Sequence, residues 1–403
     1  MRRLRYLTAG ESHGPALVTI CEGLPAGLPV TLEAISRELT RRRLGYGRGP
    51  RMNFEEDRLD ILAGVRHGRS LGSPVAIVVH NTEWPKWTEA MSPEPVHESV
   101  AATGRGQPLT RPRPGHADLV GSLKYGYEDV RDALERASAR ETAARTAIGA
   151  LAKALLSEVG VSVISHIVDI GGERVGSDAP LPGPEDSDQV DASPVRTFDP
   201  EAEPRMTARI DRAAQDNSSV GGVVEVVAYG LPPGLGSHVH WDRKLDARLA
   251  AACLSVQAMK GVEFGLGFRL AATPGHEAHD EIFHDGEAFR RKTNHAGGLE
   301  AGMSTGEPLV LRVAMKPLSS LTRPLETVDI ATKQPDAAIT QRSDVCAVPR
   351  AGVVLEAVVA IELADALLEK TGGDTLEEVT RNFTSYRDYV AERSRGSVAA
   401  GGR

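Results

Sequence analysis

Residues 111–156 read RPRPGHADLVGSLKYGYEDVRDALERASARETAARTAIGALAKALL. Pro112 and Pro114 set φ, and Gly115 allows a sharp bend, so a stiff loop presents His116 between Arg113 and Asp118. Further on, Ser138 and Glu141 have the S-x-x-E spacing of a capping box, which predicts a helix starting at Ser138. Ala144, Ile148, Leu151 and Leu155 follow at helical spacing and predict a buried stripe. A helix N-terminus carries partial positive charge, and here Arg136 and Arg140 flank it. A histidine on a rigid loop and an anion-binding helix start therefore lie close together in the chain.

Composition narrows the class. The 403 residues are 25% charged and 41% apolar, as in ordinary globular proteins. A formal charge of −8 with only 4% aromatics argues against nucleic-acid binding, which calls for a basic face with stacking rings. No apolar run reaches membrane-spanning length. Cys21, Cys253 and Cys346 lie far apart without C-x-x-C spacing and read as reduced, buried thiols of a cytosolic protein.

The chain repeats itself. GVVEVVAYGLPPGL at 222–235 echoes PALVTICEGLPAGL at 15–28, each a strand followed by Gly-Leu-Pro-x-Gly-Leu. Gly302-x-x-x-Gly306-x-Pro308 before the strand Leu309–Met315 echoes Gly68-x-x-x-Gly72-x-Pro74 before Val75–His80. The helical pattern Val353–Leu368 answers the one beginning at 138. Shared order predicts a single α+β domain of two pseudo-repeats, about 1–160 and 205–403, related by a pseudo-twofold. Its helices should pack against antiparallel sheets in a β-α-β sandwich. Residues 171–204, rich in Pro, Asp, Glu and Ser, read as a surface excursion, and Lys244–Lys260 reads as a helix.

Chemistry concentrates in glycine-rich loops. Gly10-Glu-Ser-His13-Gly14 presents a second histidine in a polar loop, where proton transfer near neutral pH is available to it. Arg37, Arg41, Arg42, Arg43, Arg48 and Arg51, interleaved with Gly45, Gly47 and Gly49, point to a small anionic ligand. Lys316-Pro-Leu-Ser-Ser320 follows a strand and offers a cation and hydroxyls. Arg342-Ser-Asp344 offers an anion binder beside a candidate base, or else a weak local ion pair. The His276–His284 loop departs from H-E-x-x-H spacing and reads as a polar loop rather than a metal site. G-x-G-x-x-G after a strand, G-x-x-x-x-G-K-[ST] and G-x-S-x-G are all absent.

Together these stretches resemble the chorismate synthase family. Its three signature regions correspond to Gly10–Gly14, to ERASARETAARTAIG at 135–149 and to RSDVCAVPRAGVVLE at 342–356; RRRLGYGRG, NTEWPKW, RPGHAD and TNHAGGLEAGM are similar too. The resemblance implies a lyase that eliminates phosphate and the C6 proton from 5-enolpyruvylshikimate-3-phosphate in a 1,4-anti sense, giving chorismate in aromatic amino-acid biosynthesis. It implies reduced FMN, with NADPH or another external reductant supplying the flavin's electrons indirectly, and a cytoplasmic homotetramer. By the same resemblance His13, His116 and Asp344 are catalytic. Arg136, Ala137, Ser138, Gln257, Ala258, Gly302, Lys316, Pro317, Leu318, Ser319, Ser320 and Arg342 line the flavin site. Arg42, Arg48 and Arg113 bind the substrate's anions or a nicotinamide phosphate.

Overall fold

The computed structural model describes residues 3–48, 58–101, 103–340 and 344–395. Strands β1 (Arg5–Ala9), β2 (Ala16–Glu22), β3 (Leu59–Ala63) and β4 (Val75–His80) form an antiparallel sheet in the order β1-β2-β4-β3. A second antiparallel sheet contains β5 (Ser162–Ile170), β6 (Glu173–Arg174), β7 (Gly222–Tyr229), β8 (Met259–Phe264) and β9 (Leu309–Met315). Its order, read from the β6 edge, is β6-β5-β7-β9-β8. Apart from the short β6, each strand of the first sheet has a counterpart in the same place in the second.

One hydrogen-bonded tie recurs in the two halves. Ser70 N–H donates to Leu28 O at 2.9 Å, and its Oγ accepts from Leu28 N–H at 3.0 Å while donating to Pro25 O at 2.5 Å. Ser304 makes the equivalent bonds to Leu235 O (2.9 Å), Leu235 N–H (2.8 Å) and Pro232 O (2.6 Å). Both serines are buried. Each closes its own Gly-Leu-Pro-x-Gly-Leu turn and satisfies backbone groups that burial would otherwise strand.

Helices fill the space between the sheets. α1 (Leu32–Arg42) starts at Thr31, whose side chain accepts from Ala34 N–H. α2 (Asp118–Tyr125) and α3 (Arg131–Ala137) precede α4 (Thr142–Ser157); α5 (Ala202–Gln215) and α6 (Leu245–Leu254) follow. The last two are α7 (Val348–Thr371) and α8 (Leu376–Ser394). α4 packs on β2 and β4, α7 packs on β5 and β7, and α4 and α7 pack on each other. The result is a β-α-α-β arrangement around one continuous core that takes apolar side chains from both sheets and both central helices.

Every residue of α7 from Val348 to Leu368 except Arg350 is buried. The helix is covered on all sides, so its pattern is apolar all round rather than striped. α4 and α7 touch where Gly149 faces Ala357: a Cβ built on Gly149 would sit 2.2 Å from that of Ala357. The glycine is there for closeness, at a cost in helix propensity.

The fold also buries charge. The Glu356 carboxylate on α7 is fully buried and accepts from Arg41 at 2.7 Å, from Arg196 at 3.2 Å, from Lys153, and from the Ser165 hydroxyl and amide. Glu38 and Asp191 complete the cluster through Arg41 and Arg196. Burial alone would raise Glu356, but the surrounding cations hold it well below the usual carboxylate range. Arg196, pushed down to about 10 by burial, keeps its proton at neutral pH.

Three expectations change. Residues 171–204 are not simply a surface excursion: Val190, Val195 and Arg196 are buried, and a turn of helix at Ser187–Ala192 brings Asp191 into the ion cluster. The polar composition reads as solvent-facing, whereas part of it partners buried charge. The predicted helix 244–260 stops at Leu254, so Gln257 and Ala258 lie in the turn before β8. Ser138 caps a short turn of 3-10 helix (Ala139–Glu141) by accepting from Arg140 N–H, and Glu141 does not reach back to it. Glu141 instead accepts from Thr8, Arg145 and Gln257, and α3 occupies the stretch just before Ser138.

Two outcomes follow for stability. Gly149→Ala gains about 1 kcal/mol of helix propensity but overpacks the α4–α7 contact, at about 1–3 kcal/mol. The net change should be destabilising in denaturant titration, and adding Ala357→Gly should restore most of it. A Gly149→Ala variant at least as stable as wild type would contradict this packing. Glu356→Gln removes the buried charge that Arg41, Lys153 and Arg196 share and should cost about 3–5 kcal/mol at neutral pH. Because the folded-state pKa of Glu356 is depressed, its stabilisation is present above the ordinary value of 4.5 and disappears as pH falls below it. Acid titration of stability should therefore be shallower in Glu356→Gln than in wild type.

Candidate active site

The N-terminal ends of the two central helices open onto one cavity of about 560 Å³. Ala139, Arg140 and Thr142 come from the start of α4, and Asp344, Ala347, Arg350 and Ala351 from the start of α7. The loop between β1 and β2 supplies Ser12 and His13, and the loop before α2 supplies Arg113, Gly115 and His116. The second half contributes Gln257 and Ala258, then Lys316–Ser320 after β9.

The charged lining is one-sided. Arg42, Arg113, Arg140, Lys316 and Arg350 face it, with Asp344 the only carboxylate among the described lining residues. Two helix N-termini add their partial positive charge. Leu134, Val256, Met259, Met315 and Val354 supply an apolar wall. An acidic protein has thus gathered cations around a partly apolar cavity, which suits an anionic ligand carrying a ring.

Both predicted histidines lie on this cavity, and each is backed through Nδ1 by a buried carboxylate. His116 Nδ1 hydrogen-bonds Asp118 Oδ1. Asp118 also accepts from Arg113 Nε at 2.8 Å, Arg113 Nη2 at 3.1 Å and the Arg113 amide at 3.1 Å. Burial would raise the Asp118 carboxyl; the bonds from His116 and Arg113 outweigh it and hold the group well below its usual range. Arg113 Nη1 further donates to Ser320 Oγ at 2.7 Å, joining the halves. The His116 loop is strapped from the second half: Thr327 Oγ1 donates to Pro112 O at 2.7 Å, and Lys316 Nζ donates to Gly115 O.

His13 Nδ1 lies 2.8 Å from Glu135 Oε1, and the His13 amide donates to Glu135 Oε2 at 2.8 Å. The Trp87 ring stacks on the imidazole with centroids 3.9 Å apart. Ser12 and Ser138 hydroxyls meet at 3.1 Å. Arg42 is held from behind by Thr142 Oγ1 (3.1 Å) and Ala139 O (3.3 Å). Asp344 pairs with Arg350 at 2.6 Å, six residues further along the chain. Burial and the neighbouring Lys260 lower the Lys316 ammonium from its ordinary value.

Most sequence-predicted site residues converge here: His13, His116, Asp344, Arg42, Arg113, Ala137, Ser138, Gln257, Ala258 and Lys316–Ser320 all line the cavity. Three do not. Arg136 turns outward and donates to the Thr8 and Gly10 carbonyls. Gly302 belongs to the tie around Ser304, where its carbonyl accepts from Leu245 N–H at the start of α6. Arg48 donates to Arg43 O beside the wall, and burial with Arg350 nearby lowers its guanidinium from the ordinary value. Arg342 lies outside the described residues, as do Gly49 and Arg51. Glu135, Trp87 and Arg350 are functional candidates that sequence reasoning did not single out. Glu135 and Arg350 sit inside the quoted motifs, but only the folded geometry reveals their partners.

The wall leaves polar groups open to a bound small molecule. Gln257 Oε1 and Arg350 Nη2 are buried with no hydrogen-bond partner among the described residues, leaving an acceptor and a donor for a bound molecule. Ala258 adopts φ +70°, a conformation rare for a non-glycine residue and concentrated at ligand sites. The volume lies in the roughly 300–1,000 Å³ range of small-molecule sites. Among the described residues no group of three or more His, Cys, Asp or Glu could hold a metal ion, and none of the helices is long and apolar enough to cross a membrane.

A family model described as chorismate synthase matches residues 4–368. The chorismate synthase of Thermobifida fusca (strain YX) is 60% identical over 392 residues, covering 97% of this chain and all of that one. That of Salinispora tropica is 59% identical over 393 residues with the same coverage. A solved structure described as the crystal structure of chorismate synthase superposes with a TM-score of 0.77 at 40% identity, covering 97% of this chain and 99% of the other. The α+β fold is common to both. The chain belongs to the chorismate synthase family, lyases of aromatic amino-acid biosynthesis.

Proposed function

We propose that the chain converts 5-enolpyruvylshikimate-3-phosphate to chorismate by 1,4-anti elimination, with reduced FMN bound in the same cavity. One observation carries this reading: among the described residues, five cations and a single carboxylate line a partly apolar cavity with two carboxylate-backed histidines. The substrate carries two carboxylates and a phosphate, so it needs cations in number, and its leaving group needs a proton. Electrostatic preorganisation is the main device.

The bond between C3 and the phosphate oxygen breaks with its electron pair, a proton leaves C6, and a new carbon–carbon double bond forms. Arg42, Arg113 and Arg140 clamp the anions. His116, oriented by Asp118, gives its proton to the departing phosphate. Asp344 takes the C6 proton, and its contact with Arg350 holds the carboxylate in place. Ala137, Ser138, Gln257, Ala258 and Lys316–Ser320 hold the flavin, and His13 stabilises or protonates its anionic edge. A reduced flavin held there would supply an electron transiently, with no net redox change in the reaction. A homotetramer in the cytoplasm, with flavin reduced by an external donor such as NADPH, completes the proposal.

An anaerobic assay with chemically reduced FMN and 5-enolpyruvylshikimate-3-phosphate, following chorismate absorbance, tests the reaction. Wild type should turn over, while His116→Ala and Asp344→Ala should each lose roughly 10²–10⁴-fold in kcat. Wild-type protein that binds both molecules without turnover would overturn the assignment. Gln257→Leu removes the unpartnered acceptor, so FMN affinity should fall about tenfold, the equivalent of one net hydrogen bond. Unchanged affinity in a flavin titration would exclude Gln257 from the flavin contact.

A further inference from the structure

Glu135 lies at the C-terminal end of α3 and is 2% exposed, and among the described residues the side chain it hydrogen-bonds is that of His13. Its two oxygens meet two nitrogens of one residue: the His13 amide donates to Oε2, and the ring Nδ1 lies against Oε1, both at 2.8 Å. The Ser12 amide donates to the Glu135 carbonyl at 3.1 Å, which ties the histidine loop to the helix end. Asp118 behind His116 differs, because it shares its charge with Arg113. On its face, the His13 ring is covered by Trp87, with the planes inclined by 27°. Arg105 and Arg131 lie 5.4 and 5.7 Å from the centre of that indole and draw on its ring electrons.

We propose that Glu135 is a positioning residue that keeps the His13 proton on Nδ1 and so reserves Nε2 for proton exchange inside the cavity, while Trp87 fixes the plane of the ring. The inference rests on the reading of His13 given above. A carboxylate can only accept, so in the neutral ring the hydrogen bond to Nδ1 requires Nδ1–H. The backbone amide is a second obligatory donor. Only a group with two acceptors serves both.

This gives Glu135→Gln a definite consequence. The amide has one acceptor and one donor group of nearly the same shape. The backbone N–H cannot change, so the amide oxygen stays with it, and the NH2 then donates to Nδ1. The imidazole must move its proton to Nε2. The substitution should invert the tautomer rather than loosen the loop, much as replacing the buried aspartate of a serine-protease triad by asparagine gives the wrong tautomer.

Nitrogen NMR of ring-labelled histidine, with His13→Ala used to assign the signal, reads the tautomer directly at a pH where the His13 shifts have stopped changing. Wild type should show Nδ1–H and Glu135→Gln should show Nε2–H. In the reduced-FMN assay, kcat of Glu135→Gln should fall roughly 10²-fold, with FMN affinity within about threefold of wild type. A merely structural role would lower affinity and stability without switching the tautomer. Nε2–H in the wild-type ring overturns the proposal, and this holds even if the variant fails to fold. Nδ1–H retained in a folded Glu135→Gln overturns it as well. Full turnover in His13→Ala would instead remove the catalytic role of His13 and leave the tautomer result standing.

Discussion

The contact between α4 and α7 is the constraint on which the rest of this structure depends. Each helix belongs to one half of the chain and covers one sheet, and the two layers join chiefly where the helices touch. Gly149 lets the axes approach until Ala357 fills the gap. Because α7 is surrounded, its apolar residues have no exposed face on which to tolerate a polar substitution. Burying a side chain of the size of Leu or Val contributes about 1.5–3 kcal/mol, so a helix of this length buried on all sides is the largest single contribution to the core. It also sets the distance between the two helix N-termini, and hence the shape of the cavity they enclose.

A surrounded helix creates an electrostatic problem that Glu356 makes visible. A lone buried carboxylate would be severely destabilising, yet this one has three cations and a serine around it. The cations come from α1, α4 and the segment before α5, and the serine from β5. The ion cluster therefore specifies which surfaces meet, in addition to whatever net stability it provides. It also lies on the same helix as Arg350 and Val354, which line the cavity, so the lower part of α7 is held rigid while its start carries chemistry.

Much of this was legible in the chain. The Gly-Leu-Pro-x-Gly-Leu echo marks the turns closed by Ser70 and Ser304, and the strands Val75–His80 and Leu309–Met315 have the boundaries the pattern gives. His13, His116 and Asp344 are remote in sequence yet line one cavity. What was hidden depends on partners. Asp191 and Arg196 sit in a polar stretch that looks solvent-facing until Glu356 is seen beneath it. Trp87 reads as one aromatic on a loop until His13 lies against its ring. Glu141 has capping-box spacing, but the competing partners Thr8, Arg145 and Gln257 win the carboxylate. Local spacing cannot report a competition settled across the fold.

The two halves share strand order and the serine ties, and they differ in what joins the matched strands. Between β1 and β2 the connection is the tight Gly10–Gly14 loop, which brings His13 to the cavity. Between β5 and β7 it is the long stretch from 171 to 221, which brings Asp191 and Arg196 to the interior instead. After β4 the chain carries Trp87, His116 and Glu135 before α4 begins; after β9 it carries Lys316–Ser320 and Asp344 before α7 begins. Equivalent strands and helices thus enclose a single cavity whose walls are chemically unlike: histidines with their carboxylates on one side, the unpartnered Gln257 acceptor and Asp344–Arg350 on the other. A symmetric scaffold could present only paired, identical groups to a ligand. The proposed elimination calls for an acid and a base at different points of the substrate, and unequal connections would let one pseudo-symmetric frame supply both.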